Sequence, residues 1–72
     1  MKELTKEQMK TAQRIISRIM EMDSWLIIDH RVNFKTRELE IEVRNETLML
    51  QFSDLTGIKF IKMGNTFFFP LN

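Results

Sequence analysis

The first segment of the chain repeats its apolar positions with the period of an amphipathic helix. The apolar side chains fall on one face of a helical projection, at Met9, Ala12, Ile15, Ile16, Ile19 and Met20. Thr5 and Gln8 have the spacing of a capping box, in which each side chain accepts a hydrogen bond from the other residue's backbone N–H. The pattern therefore predicts a helix over residues 6–22 that ends before Asp23-Ser24.

After Ser24 the period of the apolar positions changes from 3.6 to 2. Leu39, Ile41 and Val43 alternate with charged residues, which is typical of a strand with one buried and one wet face. The Gly64-Asn65 dipeptide suits a two-residue hairpin turn with positive φ at its first position. We predict five strands, over residues 25–33, 38–44, 47–53, 58–63 and 66–71. The expected fold is α+β, a single domain over residues 1–72 in which an N-terminal amphipathic helix packs on a twisted five-stranded antiparallel β-meander.

Size limits how this fold is stabilised. The chain has 72 residues, of which 43% are hydrophobic, and it has no cysteine that a disulfide would need. A domain of this length buries only about 60% of the surface that its unfolded chain exposes. We therefore expect it either to bury nearly all of its large apolar side chains or to associate with a partner.

The last predicted hairpin is apolar on both faces. A two-residue turn pairs Met63 with Thr66 and Ile61 with Phe68, and it places Phe67 and Phe69 on the opposite face. One helix covers only one face of a sheet, so the other face is predicted to be an exposed apolar surface of the kind that marks protein interfaces. Its expected members are Trp25, Ile27, Met49, Ile61, Met63 and Phe68. In the alternative, the sheet curls into a partial barrel and buries both faces.

Charge gives a second functional alternative. Eleven Lys and Arg residues oppose ten Asp and Glu residues, so the formal net charge is only +1, without the strong basic excess of a dedicated nucleic-acid-binding protein. Basic residues nevertheless recur along the predicted helix and in the fourth predicted strand, where they are able to contact phosphates. The candidate nucleic-acid-binding residues are Lys10, Arg14, Arg18, Lys59 and Lys62. A solvated charged face has the same pattern.

Few residues here are suited to catalysis or to binding a metal. The chain has no cysteine and no tyrosine, and its one histidine, His30, falls on the face opposite Asp29 in a regular strand. We expect His30 to be half-buried. Glu38, Glu40 and Glu42 form a row with a spacing of roughly 6.7 Å, which is favoured as a solvated face over a hydrolytic or cation site. We therefore expect no catalytic residue, no metal and no cofactor.

The sequence thus predicts a small protein-binding module or inhibitor that is not an enzyme and that acts as a homodimer or on another protein. Its size and composition are similar to those of domains encoded by phages and mobile elements. The lack of cysteine fits a cytoplasmic location. No contact with a membrane is expected, because the uncharged stretch over residues 63–72 is too short to span a bilayer.

Overall fold

The computed structural model describes residues 4–71, which form two helices and one four-stranded antiparallel sheet. The elements in chain order are α1 (Lys6–Met22), β1 (Ile27–Asn33), β2 (Glu38–Val43), α2 (Glu46–Thr56), β3 (Ile61–Met63) and β4 (Thr66–Pro70). The strand order is β1-β2-β4-β3, so β1 and β3 are the two edges of the sheet. An α+β fold with an N-terminal helix on an antiparallel sheet is confirmed, whereas the prediction of a five-stranded meander is wrong.

Helix α1 begins with the capping box that the sequence indicates. The Thr5 hydroxyl oxygen accepts a hydrogen bond from the Gln8 N–H at 3.1 Å, and the Gln8 side-chain oxygen accepts one from the Thr5 N–H at 3.0 Å. Only part of the predicted apolar face is buried. Ala12, Ile15 and Ile19 lie in the core, and Ile16 is half-buried. Met9 and Met20, on the same face, are each about half exposed.

The segment predicted as a strand over residues 47–53 is instead part of α2. The Asn45 side chain accepts a hydrogen bond from the Leu48 N–H at 3.1 Å, and the helix ends at Gly57, whose φ of 70° is left-handed. Met49 and Phe52, three positions apart, both reach the core from one face of this helix. The apolar residues of this segment fit the period of a strand and the period of a helix equally well. The capping residues at its two ends favour the helix.

The final hairpin forms as predicted, although its first strand is shorter. Ile61 pairs with Phe68 and Met63 with Thr66, around a two-residue turn in which Gly64 has φ 61°. The strand predicted over residues 58–63 starts only at Ile61. The neighbouring strand, β4, then pairs with β2 because α2 carries the chain across the sheet to its far edge.

A β-bulge near the start of β1 changes which side chains face the helices. Ile27 pairs with Val43 and Asp29 with Glu42, so Ile28 is an extra residue on this strand. Ile27 therefore lies on the same face as the buried Val43, whereas the uninterrupted alternation places it on the opposite one. The prediction that Ile27 belongs to an exposed face is wrong for this reason.

One face of the sheet carries the core, and both helices pack on it. Buried residues from both helices, from β2 and β4, and from the positions just before β1 and just after β4 form one cluster: Ala12, Ile15, Ile19, Leu26, Leu39, Ile41, Val43, Met49, Phe52, Phe67, Phe69 and Leu71. The opposite face, called the open face here, carries the glutamates of β2 and the alternate residues of β3 and β4, Ile61, Met63, Thr66 and Phe68. Within residues 4–71, neither helix combines the length and the apolar character needed to cross a membrane.

Candidate functional site

Three of the six residues predicted to bind protein lie together on the open face. Ile61 is 58% exposed and Met63 is 67% exposed, both on β3. Phe68 is half-buried, and in the register of the sheet it lies between Ile61 of β3 and Glu40 of β2. These side chains form a small apolar area beside a row of carboxylates, and their exposure contradicts the alternative in which a curled sheet buries both faces.

The other three predicted residues are dispersed. Trp25 precedes β1 and is 70% exposed, with the guanidinium of Arg44 4.7 Å from the centre of its ring. Ile27 packs against the core on the helix side of the sheet. Met49 is fully buried in α2, so its predicted place in an exposed surface is wrong because the segment is helical.

A second apolar surface lies between α1 and the edge strand β1. An open groove of about 500 Å³ separates them, and we call it the α1–β1 groove. It is lined by Leu4, Met9, Ala12, Gln13, Ile16, His30, Val32 and Phe34. Met9 and Phe34 are both slightly more than half exposed, and His30 is exposed rather than half-buried as predicted. The lining is therefore apolar apart from one amide and one imidazole.

The groove exists because α1 is apolar over a wider arc than the sheet covers. The buried positions Ala12, Ile15 and Ile19 form one stripe, and Met9, Ile16 and Met20 form a second stripe beside it. Met9 and Ile16 of the second stripe line the groove at the edge of the sheet, where no further strand lies beyond β1 among the described residues. The width of the apolar face of α1 is the signal in the sequence that could have indicated this surface.

The free edge of β1 has an outward-pointing backbone donor at His30 and charged side chains at Asp29 and Arg31. The N–H of His30 donates a hydrogen bond to the carboxylate of Asp29 at 2.8 Å, which indicates that this donor points to the free edge of β1. Arg31 Nη2 lies 3.5 Å from Asp29 Oδ2, and Arg31 Nε lies 3.7 Å from Glu40 Oε1. Both side chains are mostly exposed. The edge therefore presents one accessible acidic and one accessible basic group, two positions apart in β1.

The candidate nucleic-acid-binding residues lie mainly on the other flank of α1. Arg14 and Arg18 line a shallow depression with Ile58 and Pro70, and Lys59 follows Ile58 directly in the chain. Lys10 is exposed on the same helix. Lys62 is engaged elsewhere, because its Nζ lies 2.6 Å from Glu46 Oε1 of α2. The structure thus groups Arg14, Arg18 and the segment that carries Lys59, and it separates Lys62 from them.

The glutamate row makes contacts across the sheet. Glu40 accepts a hydrogen bond from the Asn33 side-chain amide at 3.2 Å and is close to Arg31, and Glu42 accepts one from the Asn65 amide at 3.3 Å. In the described part of the chain, no three His, Asp or Glu side chains are grouped so as to hold a metal ion. These carboxylates have structural partners on neighbouring strands and turns.

Comparisons of the chain with protein-family models, with curated proteins and with solved structures give no match.

Proposed function

We propose that this protein is a non-catalytic protein-binding module that holds an extended segment of its partner beside β1, with the side chains of that segment in the α1–β1 groove. The observation that carries the proposal is the coincidence of two features on one side of the molecule. A seven-residue strand at the edge of the sheet runs directly along an apolar groove of about 500 Å³. We expect the module to act in the cytoplasm, as a homodimer, an adaptor or a small inhibitor.

Edge strands bind extended chains by a known physical route. The backbone groups of the added strand bond to those of the edge, which gives affinity, and every second side chain enters a pocket, which gives specificity. A strand added at β1 runs about 4.8 Å from it, so its helix-side residues meet the groove directly. Burial of the accessible parts of Met9, Ile16 and Phe34 then supplies the hydrophobic contribution.

The same geometry defines the chemistry of the bound segment. Apolar side chains at alternate positions fit the groove, which offers only Gln13 and His30 as polar partners. The intervening positions of the segment lie on the open face next to Asp29 and Arg31, so polar or oppositely charged residues fit there. The expected partner sequence is therefore an amphipathic strand.

Affinity capture with matched variants tests this proposal. The double variant Met9→Glu/Phe34→Asp places two charges at the mouth of the groove, at positions exposed enough for the fold to tolerate them. We expect it to lose the partner that the wild-type protein captures from its native host. The control Leu55→Glu replaces an apolar residue of α2 that is 84% exposed, and the control Ile61→Glu alters the open face. Both controls should retain the partner. Loss of the partner with Ile61→Glu and its retention with the groove variant would contradict the proposal.

Nucleic-acid binding is the second candidate, favoured by the grouping of Arg14 and Arg18 beside Ile58 and Lys59. In that case the logarithm of the binding constant falls linearly with the logarithm of salt concentration, and the slope decreases by about one for each phosphate-contacting cation removed. Arg14→Ala and Arg18→Ala should each reduce the slope in a fluorescence titration. Lys62→Ala is the matched control because Lys62 already pairs with Glu46. An absence of binding at low salt eliminates this candidate.

A further inference from the structure

We infer that the strand held beside β1 is β1 of a second copy of this chain, in an antiparallel register centred on His30. This inference rests on the proposed function, because it names the occupant of the same edge and groove. It follows from the sequence of β1 itself, which has the amphipathic pattern that the groove requires. His30 and Val32 lie on the helix side, and Asp29 and Arg31 lie on the open face.

Symmetry restricts how two copies of β1 pair. A twofold axis perpendicular to the sheet keeps the helices of both copies on the same side, and opposed residues then share a face. The axis therefore passes between one residue of β1 and the same residue of the second copy, which lies directly opposite it. When that residue is His30, Asp29 of each copy lies opposite Arg31 of the other, and Val32 lies opposite Ile28.

Charge selects this register over its neighbours. Centring the axis on Asp29 opposes two Asp29 carboxylates, and centring it on Arg31 opposes two Arg31 guanidinium groups. Like charges directly opposite each other destabilise a strand pair, and opposite charges stabilise it. The His30 register gives two complementary ion pairs, since the pair is repeated by symmetry.

The interactions of the single copy are compatible with this exchange. Asp29 now accepts the N–H of His30 and lies 3.5 Å from Arg31, and the side chains of both charged residues are more than half exposed. When the two strands pair, the His30 carbonyl of the second copy accepts the hydrogen bond from this N–H. The Asp29 carboxylate then forms an ion pair with Arg31 of the second copy. The groove side chains Met9 and Ile16 of each copy then contact the strand that the other copy contributes.

Charge reversal tests the inference. Asp29→Arg brings four basic groups together at the axis, and Arg31→Asp brings four acidic groups together there. Each single variant should therefore raise the dissociation constant of the dimer by about tenfold or more, as measured by sedimentation equilibrium. The double variant Asp29→Arg/Arg31→Asp restores both ion pairs and should dimerise as the wild-type protein does. An equimolar mixture of the two single variants should form a heterodimer, which a tag on one of them detects. Circular dichroism checks that each variant is folded.

The outcomes separate this inference from the proposed function. A wild-type protein that stays monomeric at all concentrations overturns the second-copy inference, and the capture experiment then decides on the groove by itself. A dimer that Met9→Glu/Phe34→Asp disrupts but the charge reversals leave intact supports the groove and overturns the His30 register. A dimer that is unaffected by the groove variant and by the charge reversals, but that dissociates with Phe68→Asp, overturns both the groove proposal and the His30 register. In that case the open face forms the interface.

Discussion

The side-chain oxygen of Asn45 accepts a hydrogen bond from the backbone N–H of Leu48 at 3.1 Å, which stabilises the first turn of α2. The first turn of any helix leaves backbone donors without intrahelical partners, and this contact satisfies one of them. Because α2 carries the buried side chains of Met49 and Phe52, the cap helps to place two core residues.

Removal of this cap should destabilise the whole domain. We expect Asn45→Ala to lower the free energy of unfolding by about 1 kcal/mol, measured by urea denaturation. Asn45→Asp keeps an acceptor oxygen at the same place and should remain within a few tenths of a kcal/mol of the wild-type protein. Equal stability of Asn45→Ala and wild type would show that α2 does not depend on the cap.

Two methionines that the sequence assigned to one exposed surface should behave differently. Met49 is fully buried, so Met49→Ala leaves a cavity in the core and should cost about 2–5 kcal/mol. Met63 is 67% exposed on β3, and Met63→Ala should change the free energy of unfolding by no more than about 0.5 kcal/mol. Thermal or urea unfolding of the pair measures the difference. Similar small effects at both positions would contradict the helical placement of Met49.

The left-handed residue that ends α2 gives a third prediction. Gly57 has φ 70° and its N–H donates a hydrogen bond to the Ser53 carbonyl at 2.8 Å. A Cβ atom at this position meets no other atom within 4 Å, so the cost of Gly57→Ala is conformational and should be about 1 kcal/mol. Gly57→Asn should cost less, because asparagine tolerates this conformation better. If both variants unfold at the same urea concentration as the wild type, the backbone there is not held left-handed.

A polar contact joins the start of α1 to the β1–β2 turn. Gln8 is buried, and its side-chain oxygen accepts hydrogen bonds from the Thr5 N–H at 3.0 Å and from Arg37 Nη1 at 2.9 Å. Gln8→Ala removes both bonds and should lower the free energy of unfolding by about 1–3 kcal/mol. Gln8→Glu keeps an acceptor for both donors and should be closer to wild type. The order of the two urea midpoints is the measurement, and a reversed order would contradict the role of the acceptor.

The elements predicted correctly are those whose ends are marked in the sequence. The capping box of Thr5 and Gln8 locates the start of α1, and the Gly64-Asn65 turn sets the register of the last hairpin. In both cases the signal comes from residues close in sequence, whose interactions do not depend on the rest of the fold.

The elements predicted wrongly depend on information that alternation alone does not contain. The apolar residues between Glu46 and Thr56 fit a strand as well as a helix, and the deciding signals were Asn45 before the segment and Gly57 after it. The bulge at Ile28 inverts the face of the preceding residue, and nothing in the alternation of β1 marks it. Strand order is a tertiary property, because it requires that α2 carry the chain across the sheet.

The candidate site was predicted only in part for a related reason. The exposure of Ile61 and Met63 follows from the hairpin register, which the sequence contains. The α1–β1 groove depends on where the sheet stops, since Met9 and Ile16 would be covered if one more strand lay beside β1. The number of strands in a sheet depends on pairing between distant parts of the chain. The periodicity of α1 contains no information about it.

The three-residue length of β3 limits how far strand-to-strand assembly proceeds. In the dimer proposed above, the two subunits pair along β1, so a copy of the short strand β3 lies at each outer end of the combined sheet. A three-residue strand offers few backbone groups for pairing, and short edge strands are one means by which proteins discourage edge-to-edge association. We therefore expect a dimer of fixed stoichiometry rather than a fibre that grows by further strand pairing.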